Sequence, residues 1–214
     1  MYSHLQKHGV QHLMHFTRLS NLPGILKHGL MSRQELAARD IQHSVNDQYR
    51  YDHLPAVCLS VSFPNYKMFY GLRMEHPNED WVVLVLKADL VENKRCIYSY
   101  ANAAKREIAN SPLLRRMGVD ALNAMFSDHD GMPLRATLNI PSNCPTNPQA
   151  EILVLDPIEP ESILAVCFDG SDRGKQLSSA LTAAHQGKTP TFASLPQLFS
   201  PRVDYAHWRT TQNG

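Results

Sequence analysis

The sequence predicts an α+β domain, and three observations lead there. Segments with strand-like and helix-like patterning are mixed along the chain without strict β-α-β alternation. The 214 residues are 43% hydrophobic and 19% charged, the balance of an ordinary globular protein with a substantial core. No internal repeat and no low-complexity tract interrupts them. We expect one domain over residues 1–214, because the proline-rich break near residue 141 has the composition of a loop rather than a linker.

Each element has a local reason. "VQHLMHFT" alternates and predicts a first strand. A helix follows it, with Ser20 as cap, Pro23 in the first turn and Gly29 as stop. "SRQE" is a capping box opening a second helix. Residues 40–55 are polar and unpatterned, as a loop is. "AVCLSVS" predicts a strand, and "FPNYKMFYGLR" a helix entered through Pro64. "WVVLVLKADL" is a continuous buried strand with a polar exit. "SPLLRRMGVDALNAMF" predicts one helix, capped by Ser111 with Pro112 at its first position. Loop signals fill residues 127–148. "AEILVL" and "SILAVCF" are two strands joined by a proline-rich turn, and "SDRGKQLSSALTAAHQ" is a C-terminal helix before an irregular tail.

Several chemistries are not expected. A formal charge of +1 gives no global basic field, although a local basic groove remains open. Four cysteines without a C-x-x-C pair argue against a zinc ribbon or redox motif and suggest reduced thiols in the cytoplasm. Cys58 lies inside a strand pattern, as a core thiol does. There is no signal-peptide pattern, and the apolar run "WVVLVL" is far too short to span a membrane. His4, His8, His12 and His15 have near-helical spacing, but Gly9 interrupts it, so no metal site is expected. The ten glycines form no phosphate-cradling cluster, and no nucleophile elbow is present.

What remains is dispersed. His15 and Thr17 end the first strand, Asn21 starts the next helix, Arg50 lies in the polar loop, Tyr70 closes an aromatic helix, and Glu151 opens the strand "EILVL". Taken singly, each has an ordinary structural explanation; a carboxylate at a solvated strand end is common.

Their order and wording carry more. "HFTRLSNLPGILKHGLMS" resembles the opening block of the DarT family of nucleic-acid ADP-ribosyltransferase toxins, an H-x-T-x-x-x-N-L pattern ending in G-L-x-S. "CLSVSFPNYKMFY" is similar to that family's next block, and "QAEILVLDPIEPESI" to its catalytic strand with a Q-A-E tripeptide. The likeness covers about residues 10–168. It implies an ADP-ribosyltransferase-like split mixed β-sheet with flanking helices and a cleft for NAD, with no metal. It further implies Glu151 as catalytic acid, a loop arginine (Arg50, or Arg39) beside it, and His15, Thr17, Asn21 and Tyr70 on the dinucleotide. The middle block has "PNYK" where thymidine-modifying members have Pro-Arg-Ser-Pro, so the likeness does not fix the base.

The implied activity is transfer of ADP-ribose to a base of single-stranded DNA, by the toxin of a toxin–antitoxin or phage-defence system. A neutralising antitoxin, often with a macrodomain, is the implied partner. The same transfer to RNA or to protein, or a catalytically inactive NAD-fold binding module, are the alternatives. The chemistry suits Glu151. Cleaving the nicotinamide–ribose bond passes through an oxocarbenium-like state, which a rigid carboxylate at a cleft stabilises. Residues 127–149 form a long loop leading straight into Glu151. Such loops are usually functional, and this one is expected to hold the acceptor strand. Arg135 is then expected on a phosphate, and Asn139, Asn143 and Asn147 on base edges.

Overall fold

The computed structural model describes residues 1–46, 54–185 and 189–209. Seven strands form one mixed sheet: β1 (His12–Arg18), β2 (Val57–Val61), β3 (Trp81–Lys87), β4 (Cys96–Ser99), β5 (Glu151–Val154), β6 (Ile163–Phe168) and β7 (Thr191–Ser194). Their order is β4-β5-β2-β1-β3-β6-β7. Neighbours are antiparallel except β6 and β7, which are parallel. The helices are α1 (Tyr2–Lys7), α2 (Leu22–His28), α3 (Arg33–Ala38), α4 (Tyr66–Glu75), α5 (Arg106–Ala109), α6 (Gly118–Ala124), α7 (Asp172–His185) and α8 (Tyr205–Trp208).

The sheet is buried on both faces, and β3 shows how. Its side chains alternate because a strand has period two. Val82, Leu84 and Leu86 enter the larger core, with Leu5 of α1, Ile25 of α2 and Leu122 of α6. Trp81 and Val83 enter a second cluster, with Phe69 and Leu72 of α4 and Phe199 near the C-terminus.

The split is visible in the register. β1 and β2 pair only at Leu13↔Val61 and Met14↔Ser60. Beyond that point β1 continues against β3 from His15 to Arg18, while β2 continues against β5 from Leu59 to Val57. The two strands diverge, and a cleft opens between them.

Most elements stand where their sequences place them. Ser32 accepts from the Glu35 backbone N–H at 3.2 Å, and the Asn65 side chain caps α4 by accepting from the Met68 N–H at 3.2 Å. Gly29 ends α2 with φ +82, and a Cβ there would collide with the Ile158 carbonyl oxygen. That closeness lets Leu30 and Ile158 exchange two backbone bonds of 2.8 Å, stitching the first family-like block to the last.

Four expectations need correction. The helix expected from Ser111 is broken: a 3-10 turn over Leu113–Arg116 ends at Met117, and α6 starts afresh at Gly118, whose φ of +83 does not fit the interior of one continuous right-handed helix. Ser111 therefore caps no helix. Nor does Ser20, which lies in a 3-10 turn over Leu19–Asn21. β5 and β6 are consecutive but not adjacent, because three strands separate them. The expected irregular tail contains a strand, β7, which extends the sheet.

Candidate active site

Glu151 is the first residue of β5 and is 8% exposed, so a carboxylate has been drawn almost wholly into the protein. It sits opposite Ser99 of β4, and its Oε2 accepts the Ala103 backbone N–H at 3.3 Å. The turn delivering that N–H is itself shaped by side chains. The Ser99 hydroxyl donates to the Ala101 carbonyl at 2.7 Å, and Asn102 Oδ1 accepts the Ala104 N–H at 2.8 Å. On the other side, Asn147 Oδ1 accepts the Gln149 N–H at 2.8 Å, and the Ala150 N–H donates to the Asn147 carbonyl at 3.1 Å. This Asx turn feeds the chain into β5 at a fixed angle.

The cleft between β1 and β2 is lined by His15, Phe16 and Thr17 from β1, Cys58, Leu59 and Ser60 from β2, Asn65 and Met68 from the α4 end, Asn102–Ala104, and Glu151. Its other wall is α2, α3 and residues 41–46. His15 crosses the opening. Its Nδ1 donates to the Cys58 carbonyl at 2.9 Å, taking over where the backbone ladder has stopped. A carbonyl accepts only, so Nδ1 carries a proton in this bond.

Thr17 and Asn21 hold protein. Asn21 Nδ2 donates to the Ser44 carbonyl at 2.8 Å and to Thr17 Oγ1 at 3.0 Å, while its Oδ1 accepts the Ser44 N–H at 2.7 Å. Thr17 Oγ1 donates to Asn46 Oδ1 at 3.5 Å, and Asn46 Nδ2 donates to the Phe16 carbonyl at 3.1 Å. Together they bind residues 44–46 down against β1, building one wall of the cleft. The Asn21 amide, expected on a dinucleotide, is occupied by protein at both ends.

Other expected residues lie differently. Tyr70 is 57% exposed on the outer side of α4 and does not line the cleft; Met68 and Asn65 take that place. The reason is helical phase: Tyr66, Phe69 and Leu72 face inward, so Tyr70 is turned about 100° away. Arg50 lies outside the described residues. Arg39 is exposed at the end of α3, 3.9 Å from Glu35, away from the cleft. Among the described residues, Arg33 is the arginine that lines it. That position was missed because Arg33 opens a helix just after a capping serine, where a surface side chain is the ordinary expectation.

In the loop expected to hold the acceptor strand, Arg135 is turned inward. It donates to the carbonyls of Cys144 at 2.8 Å, Ser142 at 3.0 Å and Pro141 at 3.4 Å, and to Thr146 Oγ1 at 3.2 Å. Burial lowers its pKa from the usual arginine range. Asn147 is buried in its turn, Asn143 is half-buried near Gly9, and Asn139 is exposed with φ +51. Of the four expected nucleic-acid contacts, Asn139 alone stands fully open to solvent. Other cations, Lys105 and Arg106 exposed and Lys67 half-buried, lie earlier in the chain. Lys105 and Arg106 directly follow cleft-lining Ala104, and Lys67 stands beside Met68. The Lys67 pKa is lowered, first by burial and then by the like charge of Lys105. Among the described residues no group of His, Cys, Asp and Glu is arranged to hold a metal, and no helix is long and apolar enough to cross a membrane.

A family model described as "ssDNA thymidine ADP-ribosyltransferase, DarT" matches residues 14–199. The chain belongs to the DarT family. The match reaches past residue 168, where the sequence likeness ended, and takes in α7 and β7. Solved structures of the family share the fold at low identity. Thermosipho africanus DarTG in complex with ADP-ribose superposes with TM-score 0.60 at 18% identity, over 88% of this chain and 51% of that one. This chain thus spans about half of the Thermosipho protein. Thermus sp. 2.9 DarT in complex with carba-NAD+ gives 0.58 at 15% identity, over 89% of this chain and 98% of that one. The same Thermus protein in complex with ADP-ribosylated ssDNA gives 0.58 at 14%, over 90% and 97%. No curated protein matches the sequence.

Proposed function

We propose that this chain transfers ADP-ribose from NAD to a base in single-stranded DNA, acting in the cytoplasm as the toxin of a toxin–antitoxin or phage-defence pair. The observation that carries this is a nearly buried glutamate at the head of β5, beside the cleft left where β1 and β2 part, inside a segment matching the family.

The bond from ribose C1′ to the nicotinamide nitrogen breaks, and its electron pair leaves with neutral nicotinamide. Glu151 bonds the ribose hydroxyl and offsets the positive charge developing on the ribose ring. A ring nitrogen of the acceptor base then forms the new bond to C1′, and its proton passes to Glu151 or to solvent. His15 and the wall formed by residues 44–46 hold the dinucleotide, and Arg33 supplies a cation within the same cleft. The family likeness implies an arginine acting with Glu151, for which Arg50 is the candidate in the sequence. A stacked, paired base is out of reach, so a single strand is the better substrate. Its phosphates run along Lys105 and Arg106, and exposed Asn139 is the remaining candidate contact from residues 127–149. The partner is an antitoxin that removes or blocks the modification, as the family likeness implies.

Purified protein incubated with labelled NAD and, in parallel, single-stranded DNA, duplex DNA, RNA and protein tests this. Label should enter single-stranded DNA, and Glu151→Ala and Glu151→Gln should lower the rate by about 10²-fold or more while remaining folded. Label on RNA instead moves the acceptor. NAD left intact under every condition makes the chain a binding module. Wild-type turnover by folded Glu151→Ala removes Glu151 from the mechanism.

A further inference from the structure

The stretch "SPRVDYAHW" begins at Ser200, just past residue 199, where the family match ends. It carries two deeply buried charges: Arg202 is 5% exposed and Asp204 0%. Burying both is costly unless every donor and lone pair is used. They are used in a particular way. Arg202 Nε and Nη2 donate to the two carboxylate oxygens of Asp204 at 2.7 and 2.5 Å, and Trp208 Nε1 donates to the same carboxylate at 2.7 Å. The guanidinium also donates outward, from Nη1 to the Pro145 carbonyl at 2.8 Å and from Nη2 to the Thr146 carbonyl at 2.9 Å.

Those carbonyls belong to the segment that delivers Glu151. Arg135 grips the same segment through Cys144 and Thr146, and the Thr146 N–H donates to the Met125 carbonyl at 2.9 Å. The Asn147 turn follows, and then β5. The C-terminal stretch also reaches α4, the helix that brings Met68 to the cleft. The Tyr205 ring meets Tyr66 edge-on at 6.2 Å, and Lys67 Nζ donates to the Trp208 carbonyl at 3.4 Å. One short segment therefore ties the approach to the acid to a wall of the cleft.

We infer that Arg202, held by Asp204, is a positioning residue for the transfer reaction, fixing through Pro145 and Thr146 the turn that aims Glu151. This rests on Glu151 being the catalytic acid. A buried ion pair is a poor device for stability alone, since apolar replacements of similar size are often as stable. What an apolar pair does not reproduce is a planar fork reaching two successive carbonyls.

Two full-length variants test it. Arg202→Lys keeps a cation opposite Asp204 and loses the fork; Arg202→Met with Asp204→Leu removes both charges. For each, NAD affinity is measured by calorimetry, kcat and KM with a single-stranded oligonucleotide, and hydrogen exchange across residues 141–151. We expect kcat to fall roughly 10- to 100-fold, the scale of a small misplacement of a reacting group. NAD affinity should stay within about twofold, and exchange should quicken in that segment. Wild-type kcat in a folded variant overturns the inference, and so does NAD affinity falling in step with kcat. If the double variant does not fold, Arg202→Lys decides. A wild-type protein inert toward DNA sinks the functional proposal instead; the brace is then judged by exchange, and unchanged exchange at residues 144–151 overturns it.

Discussion

Asn21 and Glu151 are both polar side chains withdrawn from water at the cleft, and they serve opposite ends. Asn21 gives its amide to the Ser44 backbone from both sides, at 2.7 and 2.8 Å. Asn21→Ala leaves that N–H and carbonyl without these partners, a loss of about 1–3 kcal/mol for a half-buried pair. We expect weaker NAD binding and faster exchange at residues 41–46, with the sheet unaffected. Calorimetry with NAD checks it, and unchanged affinity would make the clamp irrelevant to binding. His15→Ala removes the imidazole that spans the split to Cys58, and it too should weaken NAD binding. Both residues line the cleft, and they fall in a block whose spacing repeats a known pattern. Tyr70 was taken from the family likeness and Arg135 from its residue type, and neither ground gives direction. Helical phase turned Tyr70 outward, and the closure of a loop around its own carbonyls turned Arg135 inward. Neither effect has a signature in the local sequence.

At the scale of elements, patterning gave the long strands and most helix starts, since period and capping are local physics. β4 and β7 have four residues each, too few for a period to register, and β4 is buried along its whole length. The split itself was legible only through the family likeness, because it depends on which strands stop pairing. The exposed cations after Ala104 carry the element's prediction. If Lys105 and Arg106 meet phosphates, alanine at each should lower the log–log salt slope of single-strand binding by about 0.7. Arg135→Ala should weaken the loop without that change in slope, because its guanidinium is spent on backbone carbonyls. Equal slopes for wild type and the Lys105→Ala, Arg106→Ala double variant would place the strand elsewhere. The join between β4 and β5 also has a pH dependence. The Arg95 side chain, bonded to Asp156 at 2.6 and 2.9 Å, holds the Asp156 carboxyl below its ordinary range. A depressed acid stabilises the fold above its unfolded pKa of about 3.9, and the effect is lost as pH falls through the lower folded value. The difference in Tm between wild type and Asp156→Asn should therefore be full at neutral pH and shrink below about pH 4. A difference independent of pH would mean that the pair's charge contributes nothing.

If the chain acts on DNA as proposed, its net charge of +1 sets the terms on which the two meet. Without a broad basic field, long-range attraction is weak, and binding depends on a few phosphate contacts plus the base in the cleft. With one to four such contacts the total salt slope should be shallow, roughly −1 to −3. Selectivity for single strands then arises from access to the base rather than from affinity for the polymer. Such an enzyme would find its substrate wherever host DNA is transiently unpaired, as at replication forks, so an unrestrained copy should stop its own host. Induced expression of the wild-type chain should arrest growth, and Glu151→Ala, folded and equally abundant, should not. Co-expression of a macrodomain protein able to remove ADP-ribose from DNA should restore growth to the wild-type producer. The two arms separate catalysis from burden, since a merely aggregating chain would harm the host with or without its glutamate. Equal growth of hosts making wild type and Glu151→Ala would break the link between this cleft and toxicity, whatever the purified enzyme modifies.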